Sequence, residues 1–101
     1  MACGRIALER CGFDIEKYYA SEIDKYAIEV ARANYPDIIH IGDVCNVTAE
    51  DYQDIDLLMG GSPCQGFSFA GKKLNFDDPR SALFFEFVRI LQEVRPKYFL
   101  L

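Results

Sequence analysis

A cysteine lies in a constrained loop whose first residues, 60 to 71, read GGSPCQGFSFAG. Cys64 comes directly after Pro63, and an apolar run precedes the glycine pair. A thiol attacks as its thiolate, so a catalytic Cys64 needs positive charge or helix N-terminal amides nearby. The basic side chains of the same segment are Lys72, Lys73 and Arg80. They can either supply that charge or contact a phosphate backbone.

The composition of this loop favours a function. Residues 60 to 80 show neither helical nor strand periodicity, and such segments in compact domains are usually functional or disordered. Phe67, Phe69 and Phe76 are unfavourable in water, which argues against disorder. A free cysteine is more often a small buried hydrophobe. Cys64 follows a predicted strand end, however, and this position favours a nucleophile.

A second group of residues lies at other predicted element ends. Gly4 is at the start of the first predicted helix, where free backbone N–H groups favour a polar or anionic ligand. Glu22 ends the next strand, where an acid can hold ribose hydroxyls, and Ile23 beside it can pack on a flat ring. Asp43 can accept a hydrogen bond from an exocyclic amine. Each residue also fits an ordinary turn or cap, but together they predict an adenosine-containing cofactor.

Periodicity predicts the elements that position these residues. The predicted order is a helix at 4–12, a strand around 18–20, a helix from Asp24 that Pro36 ends, a strand at 37–41, a short helix opened by a Thr48 capping box, a strand within 54–61, a helix at 81–94 and a strand from 97. The apolar stripe of the second helix comprises Tyr26, Ala27, Val30 and Ala31. Such alternation predicts an α/β fold with a parallel, doubly wound sheet, in which ligands bind beyond the carboxyl ends of the strands.

Composition restricts the class of protein. The chain has 101 residues, half of them hydrophobic, which is enough for one domain and not two. It lacks a membrane span and a signal peptide, so a soluble, intracellular protein is expected. Four cysteines and one histidine show no zinc-site spacing, which predicts free thiols and no metal. The net charge of −5 opposes nucleic-acid binding, but the acidic excess lies in residues 1–61, away from the cysteine loop.

The quoted residues resemble the motifs of the C5-cytosine DNA methyltransferases. GGSPCQGFSFAGK (60–72) is similar to the family's proline-cysteine-glutamine motif, and DDPRSALFFEF (77–87) to the segment after it. ASEID (20–24) resembles the motif for the cofactor's ribose and adenine, and GDV (42–44) the motif whose aspartate meets the adenine amine. MACG (1–4) resembles the end of the glycine-rich cofactor loop.

The resemblance implies a Rossmann-like methyltransferase fold that uses S-adenosylmethionine. It implies that Cys64 attacks C6 of a cytosine flipped out of double-stranded DNA, so that C5 can take the methyl group. The implied cofactor-binding residues are Gly4, Glu22, Ile23, Asp43, Val44 and Pro63. The residues expected in the substrate loop are Ser62, Gln65, Gly66, Ser68, Lys72 and Arg80. A cognate restriction endonuclease and a cytoplasmic, bacterial or phage setting are also implied.

The resemblance also predicts missing parts. In the family, a glutamate-asparagine-valine motif follows the strand that begins KYFLL here, and its glutamate contacts cytosine N3. That motif, the arginine motif and the target recognition region are absent from these residues. We therefore expect residues 1–101 to be part of a single cofactor-binding catalytic domain, with little or no activity alone. The alternatives are a tRNA cytosine-5 methyltransferase of the same family and an inactive cofactor-binding truncation.

Overall fold

The computed structural model describes residues 2–61 and 79–101, without the side chains of residues 79–81. Its elements are α1 (Ala2–Arg10), β1 (Tyr19–Ser21), α2 (Lys25–Asn34), β2 (Ile39–Gly42), two short 3₁₀ helices (Val44–Asn46 and Ala49–Asp51), β3 (Leu57–Met59), α3 (Pro79–Val94) and β4 (Tyr98–Leu100). The predicted order of elements is confirmed for this part of the chain. None of the helices in these ranges is both long and apolar enough to span a membrane.

Local signals set the ends of the first two helices. After α1, Gly12 adopts φ +85° and its N–H donates to the carbonyl of Glu9 at 3.0 Å, a left-handed stop that favours glycine. The N-cap of α2 is Asp24, whose Oδ1 accepts the N–H of Tyr26 at 2.9 Å. This helix ends two residues before Pro36, as the sequence predicted.

Two details of the prediction are wrong. Thr48 precedes the second 3₁₀ helix without a capping bond, because its hydroxyl donates to Asp51 Oδ2 at 3.1 Å instead of accepting a backbone N–H. In α2 the predicted stripe is only partly covered: Ala31 is buried, whereas Tyr26 and Val30 are 67% and 63% exposed. Periodicity locates the apolar face of a helix, but the neighbouring elements determine how much of it is buried.

The strands pair in parallel, which confirms a mixed α/β architecture with parallel strands. β1 pairs with β2 in one two-stranded sheet, and β3 pairs with β4 in another. The contacts divide the chain into two compact units, Met1–Val47 and Thr48–Leu101, so each sheet belongs to one unit. β4 is exposed on both of its faces, since successive side chains Tyr98, Phe99 and Leu100 are 58–70% exposed.

A buried arginine links the parts of the first unit. Arg5 of α1 donates from Nε to Glu9 Oε1 and from Nη2 to Asp37 Oδ2, both at 2.8 Å. Its guanidinium also lies over the rings of Tyr35 and Tyr18, at 5.0 and 5.8 Å from their centroids. The hydrogen bond from Arg5 holds the pKa of Asp37 below its usual range. These contacts tie α1 to the connection between α2 and β2.

In the second unit a glycine permits close packing against α3. Phe87, Ile90 and Val94 are the buried apolar residues of that helix. Gly60 follows β3, and a Cβ added there would lie 2.5 Å from Cδ2 of Phe87. A Cβ added at Gly61 would have no heavy atom within 4 Å. The first glycine of the pair is therefore required by packing within the protein.

The Arg5–Asp37 pair predicts a pH-dependent loss of stability in Asp37→Asn. Because the folded state lowers the pKa of Asp37, its charged form stabilises the fold above the ordinary aspartate pKa of about 4. That contribution disappears as the pH falls through the lower folded-state pKa. Urea unfolding should show the variant less stable than wild type at pH 7, with the gap closing toward pH 2. Asp14→Asn, at an exposed residue without a described ion pair, is the control; a pH-independent gap for Asp37→Asn would contradict the role of the pair.

Gly60→Ala should destabilise the protein, whereas Gly61→Ala should not. Neither Gly60 nor Gly61 is among the described glycines with positive φ, so alanine is compatible with both backbones. The two variants then differ only in the space available for the added methyl group. Forcing a methyl group against the Phe87 ring should lower the free energy of unfolding by about 1–3 kcal/mol. Thermal or urea unfolding of both variants measures the difference. Equal stability of the two would rule out the close approach of Gly60 to α3.

Candidate functional site

The candidate site lies at the carboxyl ends of β1 and β2. The register pairs Tyr19 with Ile39, Ala20 with His40 and Ser21 with Gly42. Parallel strands end at the same edge of a sheet, so the residues that follow the last pair meet there. Those residues are Glu22 and Asp43. The structure thus brings together the two carboxylates that the sequence singled out.

Glu22 is held by its own backbone and keeps one oxygen available. Its Oε1 accepts the N–H groups of Ile23 at 3.2 Å and Asp24 at 3.1 Å. Among the described residues, Oε2 has no hydrogen-bond partner. Two charge-assisted bonds to one oxygen orient the carboxylate. The second oxygen can therefore accept a hydroxyl group of a ligand.

Apolar surface lies beside this carboxylate. Ile23 is 75% exposed, which is ordinary for a single aliphatic side chain at a protein surface. The N-cap Asp24 follows it, so α2 begins immediately after the site. The predicted packing of Ile23 on a flat ring stays a prediction.

Asp43 is fixed in the same manner as Glu22. It is the N-cap of the first 3₁₀ helix, and its Oδ1 accepts the N–H of Cys45 at 2.9 Å. Within the described ranges, Oδ2 has no partner. Val44 follows as a half-buried residue. The turn into Asp43 passes through Gly42 at φ +80°, and the Gly42 carbonyl accepts the hydroxyl of Ser21 at 2.7 Å.

Gly4 belongs to the same unit, in the first turn of α1. The first N–H groups of a helix have no intrahelical partner, and the helix dipole makes that end attractive to anions. Arg5 next to it anchors the helix through its two ion pairs. The predicted position of Gly4 at a helix start is confirmed, and its ligand stays a prediction.

The residues of the cysteine loop lie outside the described part of the chain. They are Ser62, Pro63, Cys64, Gln65, Gly66, Ser68 and Lys72. Arg80 is the second residue of α3, which begins two residues before the predicted helix at 81–94, and its side chain is likewise outside the description. The catalytic and substrate-binding roles assigned to all of them remain predictions.

Each unit has a groove of its own among the described residues. The groove of the first unit, about 460 Å³, borders the site through Asp24 and is otherwise mainly apolar, with Tyr26 and Val30 in its wall. The groove of the second unit, about 360 Å³, includes Arg89 and Glu93. Arg89 bonds to Glu86 and Glu93 at 2.7 and 3.2 Å, so its charge is already neutralised there.

Cysteines and other potential metal ligands also occur among the described residues. Cys3, Cys11 and Cys45 are exposed, and none of them forms a disulfide within the described residues. In residues 2–61 and 79–101 there is no group of three metal-ligating side chains.

Ser21 and Arg5 were not identified from the sequence as residues that position the site. The four-residue spacing of Arg5 and Glu9 was a readable signal for a helical ion pair, whereas nothing in the sequence indicated the bond from Ser21 to Gly42.

Comparison with known proteins identifies a family for this arrangement. The family of C-5 cytosine-specific DNA methylases matches residues 2–101. The type II methyltransferase M1.ScrFI of Lactococcus lactis subsp. cremoris is 53% identical over 87 residues, which are 86% of this chain and 22% of that protein. M.NgoBV of Neisseria gonorrhoeae is 48% identical over 85% of this chain and 20% of its own length.

A third relative, the type II methyltransferase M.HhaI of Haemophilus parahaemolyticus, is 44% identical over 92% of this chain and 28% of its own length. The chain thus spans less than a third of each of these relatives. The family match, by contrast, extends over both units, including the cysteine loop, which falls within the sequence range of the second unit. The chain belongs to the C-5 cytosine-specific DNA methylase family.

Proposed function

We propose that the protein with this sequence is a DNA cytosine-5 methyltransferase that uses S-adenosylmethionine. The observation that carries the proposal is the pair of carboxylates at one sheet edge, Glu22 and Asp43, each oriented by backbone N–H groups through one oxygen. The family supports the reaction, and the relatives named above carry the name type II methyltransferase. The description of the family as DNA methylases favours DNA over tRNA as the substrate.

The proposal includes a Rossmann-like fold and a single cofactor-binding catalytic domain to which residues 1–101 contribute. Parallel pairing in both units supports it. Parallel strands in such folds are buried on both faces by helices and are hydrophobic throughout, and β4 carries large hydrophobic side chains on both of its faces, at Tyr98, Phe99 and Leu100. The match to 20–28% of the length of the relatives also supports a partial domain.

The described residues fit the adenosine part of the cofactor. Glu22 Oε2 would accept a ribose hydroxyl, Ile23 would cover one face of the adenine ring, and Asp43 Oδ2 would accept the adenine amine, with Val44 beside it. Each role uses an atom that is unpartnered or exposed among the described residues. At the other end of the cofactor, the free N–H groups near Gly4 suit a carboxylate.

Cys64 is the proposed nucleophile, and Pro63 restrains the backbone that presents it. Its thiolate would form a bond to C6 of the flipped cytosine, and the C5–C6 π electrons would then make C5 nucleophilic. When bound, S-adenosylmethionine would supply an electrophilic methyl group to C5 and leave as S-adenosylhomocysteine. Loss of the C5 proton to a base and cleavage of the C6–S bond would then restore the aromatic ring and the Cys64 thiolate. Lys72 and Arg80 are proposed to stabilise the thiolate or hold the DNA phosphates.

The proposed partner is double-stranded DNA, which Ser62, Gln65, Gly66 and Ser68 would contact through the cysteine loop. A cognate restriction endonuclease belongs to the same proposal, because the relatives described above are named type II methyltransferases. The relatives are bacterial, and we accordingly infer a cytoplasmic protein, since bacterial DNA lies there.

The nucleophile is tested with a duplex that contains 5-fluorocytosine at the target base. Fluorine replaces the C5 hydrogen, so no proton can be lost from C5 after methyl transfer and the C6–S bond cannot be eliminated. The covalent adduct should therefore accumulate when the protein expressed from the gene that encodes this sequence is incubated with duplex and cofactor. Cys64→Ser should form no adduct and should lower methyl transfer to ordinary duplex DNA on the order of 10³-fold or more.

The matched control for this test is Cys11→Ser, which removes an exposed free thiol at the end of α1. It should form the adduct at the wild-type rate. An adduct that persists in Cys64→Ser would show that another group is the nucleophile. Methyl transfer to tRNA but not to duplex DNA by the wild-type protein would replace the proposed substrate.

A further inference from the structure

The pairing of β1 with β2 is interrupted beside the two carboxylates. Ala20 pairs with His40, but the next residue of β1, Ser21, pairs with Gly42, so β2 contains one extra residue, Ile41, between the pairs. Such a bulge locally disrupts the backbone ladder and bends the strand. Without another constraint, the last pair would be the least firmly held part of this sheet.

A side-chain hydrogen bond lies at that point. The hydroxyl of Ser21 donates to the carbonyl oxygen of Gly42 at 2.7 Å and so joins the two strands beyond the bulge. Gly42 has φ +80°, a left-handed conformation in which glycine has no steric penalty but also the greatest freedom to change. The bond therefore restrains Gly42, whose backbone could otherwise change conformation at little cost.

The two bonded residues immediately precede the two carboxylates. Ser21 is followed by Glu22, and Gly42 is followed by Asp43. Each carboxylate is oriented only by N–H groups of its own segment: Glu22 by Ile23 and Asp24, and Asp43 by Cys45. Within the described residues, the Ser21–Gly42 bond is a side-chain hydrogen bond that joins one segment to the other.

We propose that Ser21 is a positioning residue, whose hydroxyl sets the separation of Glu22 and Asp43 and thereby the affinity for the adenosine part of the cofactor. The inference rests on the proposed function for its ligand, but the restraint itself is a property of the sheet. A ligand that must meet both carboxylates loses affinity when their spacing varies, because binding then has to order them. Ser21 needs no contact with the ligand for this effect, since its proton is donated to Gly42.

The test compares Ser21→Thr with Ser21→Val in the full chain. The two side chains have nearly the same shape and both suit a strand, but only threonine retains the hydroxyl. Ser21→Ala is a second variant without the hydroxyl, in case the branched side chains disturb the edge. Thr48→Val is the matched control, because it removes an exposed hydroxyl that bonds to Asp51 in the other unit.

Two readouts are measured on each variant. The first is hydrogen exchange of the Cys45 amide, which reports on the turn that holds Asp43 and requires no ligand. The second is the dissociation constant for S-adenosylhomocysteine and for adenosine alone, by calorimetry or NMR titration. Loss of one hydrogen bond should weaken both ligands by about two- to ten-fold in Ser21→Val and Ser21→Ala. Exchange at Cys45 should become faster, and Ser21→Thr and Thr48→Val should match wild type in both readouts.

The outcomes separate the two claims. Unchanged exchange and unchanged affinity in Ser21→Val and Ser21→Ala would overturn the positioning role. Faster exchange with unchanged affinity would overturn the link to the ligand. If the wild-type chain binds neither S-adenosylhomocysteine nor adenosine, the proposed cofactor site fails in this chain, and exchange at Cys45 alone decides whether Ser21 restrains the turn.

Discussion

Parallel pairing of β1 and β2 is the constraint on which the candidate site depends. In a parallel pair the carboxyl ends of both strands lie at one edge, so residues 20 or 21 positions apart in the sequence become neighbours. Glu22 and Asp43 follow the last pair, and each is oriented by backbone N–H groups that immediately follow it. The geometry of the site therefore depends on one long-range feature, the strand register, and on two local features, the backbone N–H bonds to each carboxylate.

Arg5 supports this arrangement through its contacts within the same unit. It is the buried charged residue of the described chain, and its ion pairs with Glu9 and Asp37 join α1 to the segment that leads into β2. Stacking over two tyrosine rings and bonding to two carboxylates uses the planar, delocalised charge that distinguishes arginine from lysine. The same residue follows Gly4, so the helix end proposed to hold the cofactor's carboxylate is anchored to the sheet that carries the adenosine site.

Local features of the sequence were sufficient to predict the helices and strands, but they were insufficient to predict the contacts between them. Periodicity, the Asp24 cap and the stop at Gly12 predicted the order and ends of the first elements, because these signals act within a few residues. The exposure of Tyr26 and the burial of Arg5 depend on which elements pack together. The register break that pairs Ser21 with Gly42 is also non-local. The strand-end rule nevertheless brought Glu22 and Asp43 to one edge, whereas the roles of Cys64 and its loop stay predictions.

The central claim, that Glu22 and Asp43 form one adenosine site, is tested most directly by titrating the ¹⁵N-labelled chain with S-adenosylhomocysteine. The account predicts saturable NMR shifts at the amides of Ile23, Asp24 and Cys45. Glu22→Gln should raise the dissociation constant by about ten-fold or more, because the amide retains one acceptor for the backbone but replaces the second with a donor. Saturable shifts confined to the groove around Arg89, or an unchanged dissociation constant in Glu22→Gln, would contradict it.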